Sequence, residues 1–394
     1  MNSSRQRVAL LLNLQIGYCR RAVTGIAAFA EKQGWLIEEM PATLESGERL
    51  ARSRPDGVIA HVLDAPFAEM LAEIDCPVMS ISSNISSLPF PAVDVDHVAV
   101  GRLAADYLDR LGRVNFAFFG SRTAGFSLDR ELGFAEVLKS RGHTISRHYA
   151  GYVLRPPYDE YSKGSEEEIR HWLGELPKPA AVFCSNDEHA RLLGFICQSG
   201  DISVPEEVAI LGVDNDLTIC SLGSPPLSSV DNPAEKIGFR AAAILHDRMM
   251  GSEVKDKVVL VPPAQVVERP STDQFAVNDE VVAKTIAFLK RNLRDGELDV
   301  GNLANHVGVS RRTLERAFSN TLQMTVLGAI QRLRIRRASS LLSNTDLPIE
   351  IIAGECGFSN HRRLGIVFKG EMQKTPTQFR QANRFSRDDV GHHP

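Results

Sequence analysis

Two sets of residues in this chain have types and spacings that could do chemistry. Towards the C-terminus, Arg311, Arg312, Glu315 and Arg316 follow Gly308, and His361, Arg362 and Arg363 follow Gly357. A guanidinium near the start of a helix that leaves a tight turn can reach into a DNA major groove and give two hydrogen bonds to guanine, while neighbouring cations hold phosphates. The competing reading is a solvated helix face; repetition of the plan on the only basic part of the chain favours nucleic acid. The second set lies earlier: Asp96, Arg130, Asn186, Asp187 and Asp214 stand at or just beyond the ends of short apolar runs. Carboxylates and amides can serve several hydroxyls at once, and a guanidinium can bridge adjacent hydroxyls, which together suit a sugar. Asn13 and Tyr18, in the loop expected after the first run, extend this set. Local roles compete: a turn or helix cap for Asp96 and Asp214, an N-cap for Asn186, and pairing with Asp129 or Glu131 for Arg130.

The elements that must position these groups follow from hydrophobic periodicity. From Arg7 to Arg269 the runs VALLLN, DGVIAH, CPVMSIS, AVDVD, NFAFFG, AAVFCS and VAILGVD alternate with helical patterns at Val98–Leu111, Glu131–Ser140, Glu188–Gln198 and Ala234–Met249. This is the signature of parallel sheets covered by helices on both faces. The segment is large for one doubly wound domain, so two α/β lobes with a cleft are expected, with ligand groups at the carboxyl ends of the strands. Arg130 is placed at the opening of the helix after NFAFFG. The expected division is residues 1–270 as the α/β part, 271–278 as linker, 279–384 as an all-α part, and 385–394 as a disordered tail.

In the all-α part, helices are expected over Val281–Asn292, Val300–Val307, Arg311–Leu322, Val326–Leu342, Ile349–Cys356 and His361–Met372. The stretches NLANHVGVSRRTLERAF and EIIAGECGFSNHRRLGIVF repeat one plan: short helix, glycine turn, apolar residue, then a serine (Ser310, Ser359) able to cap the next helix. Leu314 and Phe318, and likewise Leu364 and Phe368, fix the buried side. Arg311, Arg312, Glu315 and Arg316 then face outward in one unit, and His361, Arg362 and Gly365 in the other.

Charge agrees with this division. Residues 1–276 hold 27 Lys and Arg against 37 Asp and Glu, a balance of −10, whereas residues 277–394 hold 18 against 12, a balance of +6. The six cysteines stand singly, with no CxxC pair or histidine at ligand spacing, so neither a disulfide framework nor a metal site is expected. No run approaches the roughly 18 apolar residues of a membrane helix, and the opening residues read poorly as a secretion signal, so a cytoplasmic protein off the membrane is expected. Enzyme motifs are absent from the sequence: there is no GxSxG, HExxH or GK[ST] loop, and GSRTAGFS lacks the lysine of a phosphate loop. No cofactor is expected.

The segment Asp279–Asn383 resembles the AraC/XylS family of transcription regulators through SRRTLERAF, RIRRASSLL, IIAGECGFSN and FKGEMQKTPTQFR. The resemblance implies two recognition helices in successive major grooves, with base-reading positions at Arg312, Glu315, Arg316, His361 and Arg362. The second unit departs from the pattern: Arg363 and Leu364 replace an aromatic pair, Ile366 an arginine, and Gln373 a glycine. It therefore reads fewer or different bases, or acts through phosphates via His361, Arg362 and Arg363. The segment Arg7–Arg269 is similar to the effector domain of LacI/GalR regulators through VPEEVAILGVDND and PPLSSVDNPAEKIGFRAAAIL. That resemblance implies a sugar effector, D-xylose or a related aldose, held by the polar strand-end set. Together the two imply a homodimeric activator of aldose catabolic genes that contacts RNA polymerase. The alternative is a sensor that answers a different metabolite or a partner protein.

Overall fold

The computed structural model describes residues 5–82, 88–150, 163–252, 257–273, 279–296, 298–322, 324–372 and 374–383. Part of the expected linker (274–278), Gln373 and the expected tail (385–394) lie outside them. The chain divides into two compact units, residues 1–272 and 273–394. No helix among the described residues is long and apolar enough to cross a membrane.

The first unit contains β1 (Arg7–Leu11), β2 (Leu36–Met40), β3 (Gly57–Ala60), β4 (Val78–Ser80), β5 (Ala92–Val95), β6 (Asn115–Gly120), β7 (Ile145–Tyr149), β8 (Ala180–Cys184), β9 (Val208–Val213), β10 (Ser228–Asp231), β11 (Val258–Val261) and β12 (Gln265–Val267). They form two six-stranded sheets with one plan, β11-β5-β4-β3-β1-β2 and β12-β10-β9-β8-β6-β7. Each sheet anchors one lobe, and within the two sheets only β12 runs antiparallel to its neighbour. The seven apolar runs are β1, β3, β4, β5, β6, β8 and β9, nearly all of them buried. The edge strands escape periodicity because water reaches them: LIEEM of β2 and ISRHY of β7 carry polar residues that no second layer covers.

Helices cover the sheets: α1 (Gly17–Gln33), α2 (Ser46–Ser53), α3 (Ala65–Ala72), α4 (His97–Arg110), α5 (Gly125–Ser140), α6 (Lys163–Glu175), α7 (Asp187–Ser199), α8 (Leu217–Leu222) and α9 (Ala234–Met249). Two sequence expectations shift here. Tyr18 lies in the first turn of α1 rather than in a loop, and α5 starts at Gly125, which puts Arg130 in its second turn. One helix pair in each lobe meets backbone to backbone. A Cβ on Gly25 of α1 would lie 1.9 Å from the Glu235 carbonyl oxygen of α9, and a Cβ on Gly133 of α5 would lie 2.0 Å from the Val98 carbonyl oxygen of α4.

The chain crosses between lobes three times: at Asp96 between β5 and α4, at Asn232–Pro233 between β10 and α9, and at Pro262–Ala264 between β11 and β12. The crossings are tied together. The Asp96 N–H donates to the Val261 carbonyl at 2.9 Å, and the Ala264 N–H to the Asp231 carbonyl at 3.0 Å.

The described regular elements of the second unit are all helices: α10 (Glu280–Asn292), α11 (Val300–Val307), α12 (Arg311–Leu322), α13 (Val326–Asn344), α14 (Ile349–Glu355), α15 (His361–Met372) and α16 (Pro376–Asn383). It has two cores. Val326, Ala329, Ile330 and Leu333 of α13 pack with α10, α11 and α12, while Ile335, Ala338 and Leu342 of the same helix pack with α14, α15 and Phe379 of α16. One helix therefore serves as the spine of both halves.

Candidate ligand cavity and DNA-facing helices

The cavity of the first unit lies between the lobes, where the crossings run, with about 530 Å3 of atom-free space counting solvent at its mouth. Its hub is Arg130, 3% exposed. The guanidinium donates to the Ser185 carbonyl, to Asp214 Oδ1 at 3.4 Å and to His97 Nδ1 at 3.3 Å, and it lies 4.8 Å from the Phe126 ring centre. Asp214 follows β9 with φ of 107°, so the chain turns there at the cost of strain and delivers the carboxylate to the cavity. Its Oδ1 also accepts from Asn232 Nδ2 at 2.6 Å. Burial raises the Asp214 pKa, and the charges of Arg130 and His97 oppose that rise.

Tyr18, His61, Ser82 and Asp94 contribute from the other lobe. The Tyr18 hydroxyl donates to the Ile81 carbonyl at 2.7 Å, which fixes the ring 5.9 Å from that of His61. Burial pushes the His61 pKa down to about 4 against the pull of Asp94, so the imidazole is neutral at pH 7 and can both donate and accept. His97 Nε2 stands 3.6 Å from Asp94 Oδ1. The result is a floor of two carboxylates, one guanidinium and two imidazoles beside the rings of Tyr18 and Phe126, chemistry suited to a polyhydroxylated ring with an apolar face.

Of the residues singled out by sequence, Tyr18, Arg130, Asn186 and Asp214 line this cavity, and Asn13, Asp96 and Asp187 do not. Asn186 caps α7, its Oδ1 accepting from the His189 N–H at 2.8 Å. Asp96 caps α4 through the Ala99 N–H at 2.9 Å, and Asn13 accepts from the Gln15 N–H at 3.0 Å within its own turn. Asp187 is buried behind the cavity, accepting from Ser229 Oγ at 2.6 Å, the Asp216 N–H at 2.9 Å and Cys220 Sγ at 3.3 Å. Burial, with Asp214 adding to it, pushes its pKa up to about 8. Sequence reasoning missed His61, Asp94, His97, Ser82 and Phe126. His61 ends DGVIAH as Asp214 ends VAILGVD, and Asp94 is a charge inside an apolar run, so both signals were present.

The second unit presents its cations differently. In α12, Leu314 and Phe318 are buried while Arg312 and Arg316 are exposed, and Arg311 Nε donates to Glu315 Oε1 at 2.8 Å across one turn. Gly308 and Gly357 both take the left-handed φ of 73° that each turn requires. Ser310 caps α12 by accepting from the Thr313 N–H at 3.1 Å. In the second unit the cap is Asn360 rather than the expected Ser359: its Oδ1 accepts from the Arg363 N–H at 2.8 Å. Asn360 occupies the register of Ser310, one residue before the helix, and asparagine caps as well as serine. His361, Arg362 and Arg363 are exposed on the first turn of α15.

A two-lobed binding-protein fold with a polar cavity, joined in one chain to paired helix-turn-helix units that present cations, defines a ligand-sensing transcription regulator and not an enzyme. The family profile of the periplasmic binding protein-like domain matches residues 105–272, and that of a helix-turn-helix domain matches residues 303–382. The chain is 29% identical to the xylose operon regulatory protein of Haemophilus influenzae, over 96% of this chain and 99% of that one. It is also 29% identical to the xylose operon regulatory protein of Escherichia coli, over 97% and 99%. Among solved structures, the xylose-binding transcription activator XylR matches with a TM-score of 0.61 and 27% identity, covering 98% of this chain and 100% of that one. The complex of the regulator CelR with cellobiose matches with a TM-score of 0.56 and 23% identity over 68% of this chain and 85% of that one, a likeness of fold.

Proposed function

We propose that this chain activates genes of xylose or related aldose catabolism, with D-xylose as the effector. The observation that carries this is the Arg130–Asp214 pair set beside Asp94, His61 and His97 and flanked by Tyr18 and Phe126. A neutral polyol satisfies such groups without adding charge, whereas an anion would meet Asp94 and Asp214 and a cation would meet Arg130. The names of the full-length relatives add to the choice of xylose. Residues 1–272 sense and residues 279–384 bind DNA; of the expected linker 271–278, Ser271 and Thr272 belong to the first unit, where both are buried and Ser271 Oγ donates to the Ile210 carbonyl at 2.6 Å. The protein acts in the cytoplasm as a homodimer: sugar closes the lobes, the closure resets the arrangement of two subunits, and their helix pairs engage adjacent half-sites and RNA polymerase. Arg311, Arg312, Glu315 and Arg316 form the first DNA-facing set, and His361, Arg362 and Arg363 the second.

Calorimetric titration of the full chain with D-xylose, L-arabinose, D-glucose and D-ribose tests the sensor. Binding of D-xylose that weakens strongly in Asp214→Ala and Arg130→Ala is expected. A folded protein that binds none of the four overturns the aldose reading in favour of another metabolite or a partner protein.

A further inference from the structure

Helices α12 and α15 align without a gap and share their cap position, their buried pair and one exposed arginine. Leu314 and Phe318 correspond to Leu364 and Phe368 as buried residues, Ser310 to Asn360 as cap, and Arg312 to Arg362 as exposed guanidinium. Among the positions that differ, two adjacent ones lie on the outward side: Glu315 becomes Gly365 and Arg316 becomes Ile366. Ile366 is 61% exposed, although its helix has a well-filled core on the other side. With 3.6 residues per turn, Arg362, Gly365, Ile366 and Lys369 share about 100° of helix surface. The isoleucine therefore stands among cations, opposite Leu364 and Phe368.

Those neighbours restrict what can cover it. A protein surface that buried Ile366 would have to neutralise Arg362, Arg363 and Lys369 as well. A major groove supplies phosphates for the cations and one apolar feature on its floor, the C5-methyl group of thymine. Gly365 is a second, independent observation. A Cβ there would meet nothing within 4 Å, so packing inside the protein does not require glycine, which is otherwise a poor residue for a helix interior. Its bare backbone lets the helix come closer to whatever lies outside.

We propose that α15 reads base sequence by packing Ile366 against a thymine methyl group, with Arg362 beside it and Gly365 allowing close approach. The assignment rests on the reading that both helix-turn-helix units face DNA. The two units then use different chemistry in one register: charge on α12, apolar contact on α15.

The test starts by selecting duplexes from a randomised DNA pool with the full-length protein in the presence of D-xylose. The half-site of α15 is the one whose footprint weakens in Arg362→Ala. Replacing its preferred thymine by deoxyuridine removes only the methyl group and should weaken wild-type binding about four-fold, the equivalent of one buried methyl. 5-Methylcytosine at that position should recover part of the loss relative to cytosine. Ile366→Ala, an exposed change whose fold is checked by circular dichroism, should bind thymine and deoxyuridine duplexes equally. The proposal is overturned if no base is preferred in that half, if deoxyuridine costs wild type nothing, or if Ile366→Ala keeps the discrimination. It is also overturned if Ile366→Ala binds DNA as wild type does but loses activation of transcription, which would mark a protein contact. If Arg362→Ala and Lys369→Ala also leave every footprint unchanged, the DNA-facing reading of α15 fails as well, and that failure is distinct from loss of the thymine contact alone.

Discussion

The candidate ligand cavity and the cation-bearing helices α12 and α15 both use arginine and place it in opposite surroundings. Arg130 is buried and paired with Asp214, His97 and a carbonyl. Arg312, Arg316 and Arg362 stand in water. A buried charge acts strongly over short range because little solvent screens it, and it must be paired in advance to be tolerated. Exposed charges are individually weak, and their value comes from number and from displacing counterions on a polyanion. A preorganised site therefore suits a small neutral ligand, and a loose cationic face suits DNA.

Asp214→Ala attacks the first half of that contrast most directly. It leaves Arg130 buried without its carboxylate, and we expect sugar binding to lose on the order of 2 to 5 kcal/mol by calorimetry, with sugar-free DNA binding unchanged. Gly133→Ala probes the support rather than the site. Its Cβ would lie 2.0 Å from the Val98 carbonyl oxygen, so α5 must move away from α4 and carry Arg130 with it. Thermal unfolding should show a loss of about 1 to 3 kcal/mol, and sugar affinity should fall although residue 133 touches no ligand. On the other half, Arg312→Ala should cost about 1 to 3 kcal/mol in favour of the preferred base. DNA affinity should also fall steeply with added salt while sugar affinity stays nearly level, and equal salt dependence would break the comparison.

The smallest effect is a pH slope. His61 has its pKa lowered from 6.5 to about 4, so between those values the unfolded chain binds more protons than the folded one. Wild type should therefore lose stability relative to His61→Gln as the pH falls from about 6.5 towards 4. A melting-temperature difference that stays constant over that window would show that the imidazole is not buried in solution.

Much of this fold is legible in residues that answer to one neighbour layer. The apolar runs of β1, β3, β6, β8 and β9 announce strands covered on both faces, and the leucine-phenylalanine spacing of α12 and α15 announces which side is inward. The ring of lining residues is only partly legible, because it depends on which strand ends meet across two lobes. Asp96 and Asp94 are two residues apart in one run, yet Asp94 reaches the cavity and Asp96 caps α4. Nothing local in AVDVD separates those roles. The glycine contacts between α1 and α9 and between α4 and α5 are illegible for the same reason, since each glycine is required by a second helix and by nothing in its own.

The three lashed crossings between the lobes act mechanically as a pivot with three plies. A single strand could twist, bend and slide; three strands bonded side by side through Asp96 to Val261 and Ala264 to Asp231 resist twist and slippage and leave bending as the soft direction. Pro262 and Pro263, each with its φ locked, stiffen one ply further. Such a pivot favours one bending motion over the others, like that of the arms of tongs. The cavity sits beside the fulcrum, so a small displacement at Asp94 or Asp214 becomes a larger sweep at the far ends of both arms.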